Sequence, residues 1–172
     1  VALLKNGKRT AILLGSPLTQ GAALMQAGRI AAATGATLLA PFGFTRIERG
    51  AGMPVVERVA YVVDQALAQL KAFEQFILIG AAVPVAFFAW QGKPSVLVPE
   101  DAEVHTLAKP DDDIAGALAM LEDGMKAKNR ALVLQQPTPV SSPTGAITID
   151  GLAMVIGAAL PEGVIVVDES IT

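Results

Sequence analysis

Three short apolar runs, each closed by glycine or proline, constrain the fold most. Thr10–Leu14 is followed by Gly15-Ser16-Pro17, Thr37–Ala40 by Pro41, and residues 76–79 by Gly80. Between the first two, Ala23, Leu24, Ala27, Ile30 and Ala31 recur at helical spacing, and Gly35 is placed to stop that helix. Strand, helix and strand joined by short connections predict parallel pairing with a right-handed crossover. Runs with no polar alternation suit strands covered on both faces.

The pattern continues along the chain. Residues 42–54 read as a loop holding Gly43, Gly50, Gly52 and Pro54, with Arg46, Glu48 and Arg49 inside it. A helix is predicted over 62–73, and strands over 76–79, 95–98 and 103–107. Asp111, Asp112 and Asp113 precede a helix marked by Ile114, Leu118 and Leu121, where acceptors satisfy free N–H groups. The expected fold is a three-layer α/β/α sandwich of Rossmann type, with a parallel sheet of five or six strands.

Residues 134–145 (LQQPTPVSSPTG) change character, with prolines and small polar residues in linker proportions. Beyond them a helix is predicted over 149–160, a turn at Pro161-Glu162-Gly163, and an apolar strand over 164–167. The expected organisation is a domain over 1–133, a linker over 134–146, and a truncated helix–strand tail over 147–172. One helix and one strand cannot bury a two-sided strand. The tail should therefore open a further domain, and its strand should pair at an edge, swap or form a dimer contact.

Composition excludes several classes. Of 172 residues, 52% are hydrophobic and 17% charged, which is not the balance of a disordered chain. The net charge is −3 and no Lys/Arg cluster occurs, so nucleic acid is not an expected partner. There is no cysteine, hence no disulfide or thiolate site, and the single histidine, His105, excludes a His-rich metal centre in one chain. The apolar stretch 76–90 is shorter than the roughly 20 residues of a membrane helix and is broken by Gly80 and Pro84. No basic and apolar leader is visible, so a cytoplasmic location without membrane partners is expected. A start at Val1 and a stop soon after residue 167 are expected of a piece of a longer protein.

No Ser-His-Asp or Cys-His pattern is present, so no catalytic residue is nominated. His105 is expected to be structural or on the surface. The three aspartates are expected to cap a helix, and Arg46, Glu48 and Arg49 to form a solvated loop. Phe87, Phe88 and Trp90 are expected to pack. Two places could hold a ligand: Gly15-Ser16 and Gly80-Ala81, both at the carboxyl edge of the predicted sheet. Open α/β sheets bind ligands in that crevice, where glycine lets a phosphate approach backbone N–H groups. Neither place carries a dinucleotide or P-loop fingerprint.

The order of four blocks carries a resemblance: TAILLGSPL, FILIGAAVPVAFFAW, KPSVLVPEDAEVHTLA and DDDIAGALAMLEDG. With them, the chain resembles the central domain of thiamine-diphosphate-dependent enzymes of the acetolactate synthase and benzoylformate decarboxylase type. LPEGVIVVDESIT resembles the start of that family's C-terminal, diphosphate-binding domain, and RGAGMPVVERVAYVVDQALAQL is similar to bacterial acetolactate synthase large-subunit proteins.

The resemblance implies a parent acting on 2-keto acids, a lyase or an acetolactate synthase-type transferase. It would use thiamine diphosphate and magnesium, in a homo-oligomer. The glutamate that activates thiamine belongs to the first domain of such a parent, and the Gly-Asp-Gly metal and diphosphate motif to the third. This chain is therefore expected to be inactive alone, with the missing outer domains as its partners. Family members that hold FAD carry Gly-Ala-Arg after the strand matching 76–79; here the turn is Gly80-Ala81-Ala82. That departure points away from FAD and toward the nucleotide-free decarboxylase type. Ser170 and Thr172 match hydroxyls that touch the diphosphate in such decarboxylases. The alternative is a stand-alone nucleotide- or FAD-binding module, and a third reading is a purely structural domain.

Overall fold

The computed structural model describes residues 1–43, 46–139 and 141–168. They divide into two compact units, Val1–Gln135 and Gln136–Thr172.

In the first unit a short 3-10 turn, Leu3–Lys5, leads into β1 (Thr10–Leu14). A second 3-10 turn, Ser16–Leu18, then feeds α1 (Gly21–Thr34). Gly35 ends α1 in the left-handed region, φ 75°, and returns its N–H to the Ala31 carbonyl. The chain continues through β2 (Thr37–Ala40), β3 (Glu57–Arg58) and α2 (Val63–Leu70). It ends with β4 (Gln75–Ile79), β5 (Glu103–Ala108) and α3 (Ile114–Met125). Among the described residues the sheet has five strands in the order β3-β2-β1-β4-β5, with every pair parallel.

The strand alternation splits the core in two. Ile12, Leu14, Leu38, Ala40, Ile77 and Ile79 face α1 and α3, against Leu24, Ile30, Leu118 and Leu121. Ala11, Leu13, Leu39, Phe76 and Leu78 face α2, against Val63, Ala66 and Leu70. β1 and β4 are buried at all five positions each, the signature of strands covered on both faces.

Two buried polar groups fasten this core. The Gln75 amide donates to the Leu3 carbonyl at 2.9 Å and to Thr10 Oγ1, and accepts from Asn6 Nδ2 at 2.9 Å. Between α1 and α3, Glu122 accepts from Arg29 Nε at 2.5 Å and Gln26 Nε2 at 2.7 Å. Burial pushes the Glu122 carboxyl up; the hydrogen bonds from Arg29 and Gln26 and the Arg29 charge outweigh it, so the group titrates below its ordinary value.

Two expectations need correction, and one strand was not foreseen. Residues 95–98 form no strand of the sheet: Pro94 and Pro99 flank them and remove donors, and only a Val85–Val96 bridge forms, antiparallel. β3 was not expected; it is a two-residue edge strand with both residues exposed, and carries no apolar pattern. In the second unit α4 (Ile149–Ala159) forms, capped by Thr148 Oγ1 accepting from the Gly151 N–H at 3.0 Å, but residues 164–167 are irregular and exposed. An apolar run becomes a strand only when another strand takes its backbone hydrogen bonds, and none does so among the described residues.

Candidate functional site

β1 and β4 are neighbours in space, while the chain runs from β1 to β2 on one side and reaches β5 on the other. The point between them is where an open α/β sheet reverses its strand order and its loops part to admit a ligand. The predicted glycines lie there. Gly15 donates its N–H to the Ile79 carbonyl at 2.8 Å, and Gly80 donates to the Ala108 carbonyl at 2.8 Å.

The two loops are in backbone contact. A Cβ on Gly15 would stand 2.0 Å from the Gly80 oxygen and 2.6 Å from its carbonyl carbon. Gly15 itself is extended, φ −63° and ψ 157°, so its lack of a side chain answers to space and not to a left-handed turn. Gly80 does need its freedom, with φ 64°, and a Cβ there would meet Ile114 Cγ2 at 3.0 Å. Ala81 is buried against the α2 face. Ser16 opens the 3-10 turn that carries the chain into α1.

The N-terminus of α1 has an internal acceptor. Glu48, from the loop between β2 and β3, accepts the Gly21 N–H on Oε2 at 2.7 Å, and its own N–H reaches the Thr19 carbonyl at 2.9 Å. Thr19 Oγ1 donates to the Arg46 carbonyl at 2.5 Å, which fixes the loop against the helix start. A carboxylate at a helix N-terminus satisfies a free donor and the dipole together. The expected solvated loop therefore includes a capping residue. Acidic charge within a Gly-rich loop was the only sequence signal, and its partner lies 27 positions away.

The remaining candidates are placed as follows. Asp113 caps α3, accepting the Gly116 N–H at 2.9 Å, and Asp112 accepts from the Lys109 N–H at 2.7 Å. His105 lies on β5 with Nε2 at 3.6 Å from a Glu103 oxygen. Ser170 and Thr172 lie outside the described residues. Among the described residues no group of three or more His, Cys, Asp or Glu could hold a metal ion. No helix among them is long and apolar enough to cross a membrane.

Neither of two cavities formed by described residues of the first unit is lined by Gly15, Ser16, Gly80 or Ala81. The larger, about 520 Å³, lies at the amino edge of β1 and β4. Two of its cations are engaged: Lys8 pairs with Glu103, and Arg9 with Glu74 at 3.2 Å. Arg9 and Lys8 hold the Glu74 and Glu103 carboxyls, respectively, below their ordinary value, chiefly by hydrogen bonding. The smaller, about 340 Å³, lies at the carboxyl edge, between the segments that follow β2, β3 and β4. Phe42, Tyr61 and Phe87 line it. Of the residues expected to pack, Phe87 meets the Phe42, Tyr61 and Phe88 rings, yet Phe87, Phe88 and Trp90 remain 65%, 55% and 58% exposed, because the segment between β4 and β5 runs over the surface.

No family model matches the chain. A Mycobacterium tuberculosis protein named "Putative acetolactate synthase large subunit IlvX" is 46% identical over 170 residues, which is 99% of this chain and 33% of that protein. In fold, the chain is similar to a solved structure described as "a putative thiamin diphosphate-dependent enzyme isolated from Mycobacterium smegmatis". The TM-score is 0.63, with 16% identity over 93% of this chain and 34% of that one. It is likewise similar to the thiamine diphosphate-dependent 4-hydroxybenzoylformate decarboxylase of Rhodococcus jostii RHA1, with a TM-score of 0.65, 16% identity, and coverage of 93% and 33%. The chain thus spans about one third of the length of the curated relative it matches. It is similar in sequence to a protein named as a putative acetolactate synthase large subunit, and in fold to about one third of each of those two solved structures.

Proposed function

We propose that this chain is the non-catalytic central domain of a thiamine-diphosphate-dependent enzyme acting on 2-keto acids, followed by the opening of its diphosphate-binding domain. Its role is to hold the coenzyme-binding parts in place. Residues 134–146 are the linker and residues 147–172 open the following domain, where α4 keeps Leu152, Met154, Val155 and Ile156 exposed, an apolar surface suited to a neighbouring domain. The parent, a lyase or a synthase-type transferase, works in the cytoplasm as a homo-oligomer, with thiamine diphosphate and magnesium held by its other domains.

The backbone contact between Gly15 and Gly80 is the observation that carries the scaffold reading. A nucleotide diphosphate needs open backbone at the point of strand reversal and a free helix N-terminus. Here the first is filled by the opposite loop and the second by Glu48. The residues at the predicted crevice therefore do not fit FAD or another dinucleotide, and the alternative of a stand-alone nucleotide module is the less supported reading.

Carbon dioxide release from 2-keto acids, with thiamine diphosphate and magnesium supplied, tests the non-catalytic assignment. Release no faster than from the coenzyme without protein is expected. Turnover by this chain alone would overturn it.

A further inference from the structure

The cavity of about 340 Å³ at the carboxyl edge is separate from the glycine crossing and is built unlike it. Its size falls within the usual range for small-molecule pockets, which combine apolar walls with a few placed polar groups. Three of its lining residues are aromatic and come from three different segments. The rings of Phe42 and Tyr61 are 4.8 Å apart, those of Phe42 and Phe87 5.9 Å, and those of Tyr61 and Phe87 6.1 Å. Their planes are tilted by 35°, 66° and 55° to one another, so the cluster holds both tilted and edge-on pairs. A flat ring can meet one as an offset stack and another edge-on, the two favoured aromatic arrangements.

One cation attends the same group. The Arg58 guanidinium lies 5.8 Å from the centroid of the Phe42 ring. Arg58 does not line the cavity itself but stands at the Phe42 ring that does, and among the described residues no carboxylate pairs with its guanidinium. An aromatic socket beside an unpaired guanidinium has the complementarity of a flat ring bearing an acid group.

We propose that this cavity binds a planar aromatic carboxylate, with its ring against Phe42, Tyr61 and Phe87 and its carboxylate on Arg58. The site needs no phosphate cradle, so it is compatible with a closed glycine crossing. It gives the domain a ligand of its own, independent of the coenzyme.

Tyr61 is the single tyrosine of the chain, so tyrosine labelled in its ring gives one signal that reports the cavity. The probe is benzoate, titrated into the full 172-residue chain. A saturable shift of the Tyr61 signal is expected. Cyclohexanecarboxylate, equally charged but not flat, and benzyl alcohol, flat but uncharged, should each bind about tenfold more weakly. Arg58→Gln should weaken benzoate by about tenfold while leaving benzyl alcohol unchanged, since only the charged hydrogen bond is lost. No saturable shift, or equal binding of benzoate and cyclohexanecarboxylate, would overturn the proposal. Benzyl alcohol binding as tightly as benzoate would also overturn it, and would mark a plain apolar socket for a side chain of a neighbouring protein part. Arg58 is exposed on a two-residue edge strand, so loss of the fold is not the expected result of its substitution.

Discussion

The Gly80 carbonyl oxygen stands 2.0 Å from the place a Gly15 Cβ would occupy. The oxygen belongs to the backbone just past β4, so it cannot swing away as a side chain could. Gly15→Ala should destabilise the chain by about 3 kcal/mol, at the upper end of the cost of overpacking a tight core. Gly80→Ala should cost less: a left-handed backbone at a non-glycine residue costs about 1–2 kcal/mol, and the neighbour it meets is the movable Ile114 side chain. Urea unfolding of the two variants checks the order.

Glu48 should matter more than a loop carboxylate ordinarily does, because it accepts the Gly21 N–H and stabilises the start of α1. Glu48→Ala should cost about 1 kcal/mol, as removal of a helix cap does. Faster hydrogen exchange confined to the first turn of α1 is the accompanying signature.

The Glu122 carboxyl links stability to pH. Its folded pKa lies below its ordinary value of 4.5, so it binds fewer protons folded than unfolded. Its contribution is complete above that ordinary value and is lost as pH falls through the depressed folded one. Stability measured against pH should therefore drop on the acid side of 4.5, and the drop should shrink in Glu122→Gln. Arg29→Ala leaves a buried carboxylate without its ion pair and should cost about 3 kcal/mol at neutral pH.

Gln75→Leu should loosen the beginning of the chain. The substitution keeps bulk at a fully buried position but strands the Leu3 carbonyl and Asn6. A loss of about 2 kcal/mol is expected from buried polar groups left without partners. The 3-10 turn Leu3–Lys5 should lose protection before the sheet does, which amide exchange resolves.

What was legible in the sequence follows from how local each signal is. Thr10–Leu14, the helix before Gly35 and the Asp113 cap are written in adjacent residues, and they form where expected. β3 was hidden because Glu57 and Arg58 pair through their backbones at an edge and bury nothing. Residues 95–98 misled because Leu97 is buried like a strand residue while the flanking prolines keep the segment out of the sheet. Residues 164–167 have strand composition but no strand to join among those described. At the candidate site, glycine at positions 15 and 80 was visible; its reason was not, because each glycine answers to a segment about 65 or 34 positions away. The aromatic cavity was invisible for the same cause, its rings coming from residues 42, 61 and 87.

Native mass spectrometry, beside the denatured mass of the same preparation, tests whether the glycine crossing of the proposed scaffold domain is closed to nucleotides. The native protein is expected to carry no mass corresponding to FAD, ADP or a related nucleotide, and the preparation to show no flavin absorbance. A retained small aromatic acid would be consistent with the cavity beside Arg58. A nucleotide that stays bound through gentle desolvation would overturn the scaffold reading, because Gly15 and Gly80 would then have to part to admit it.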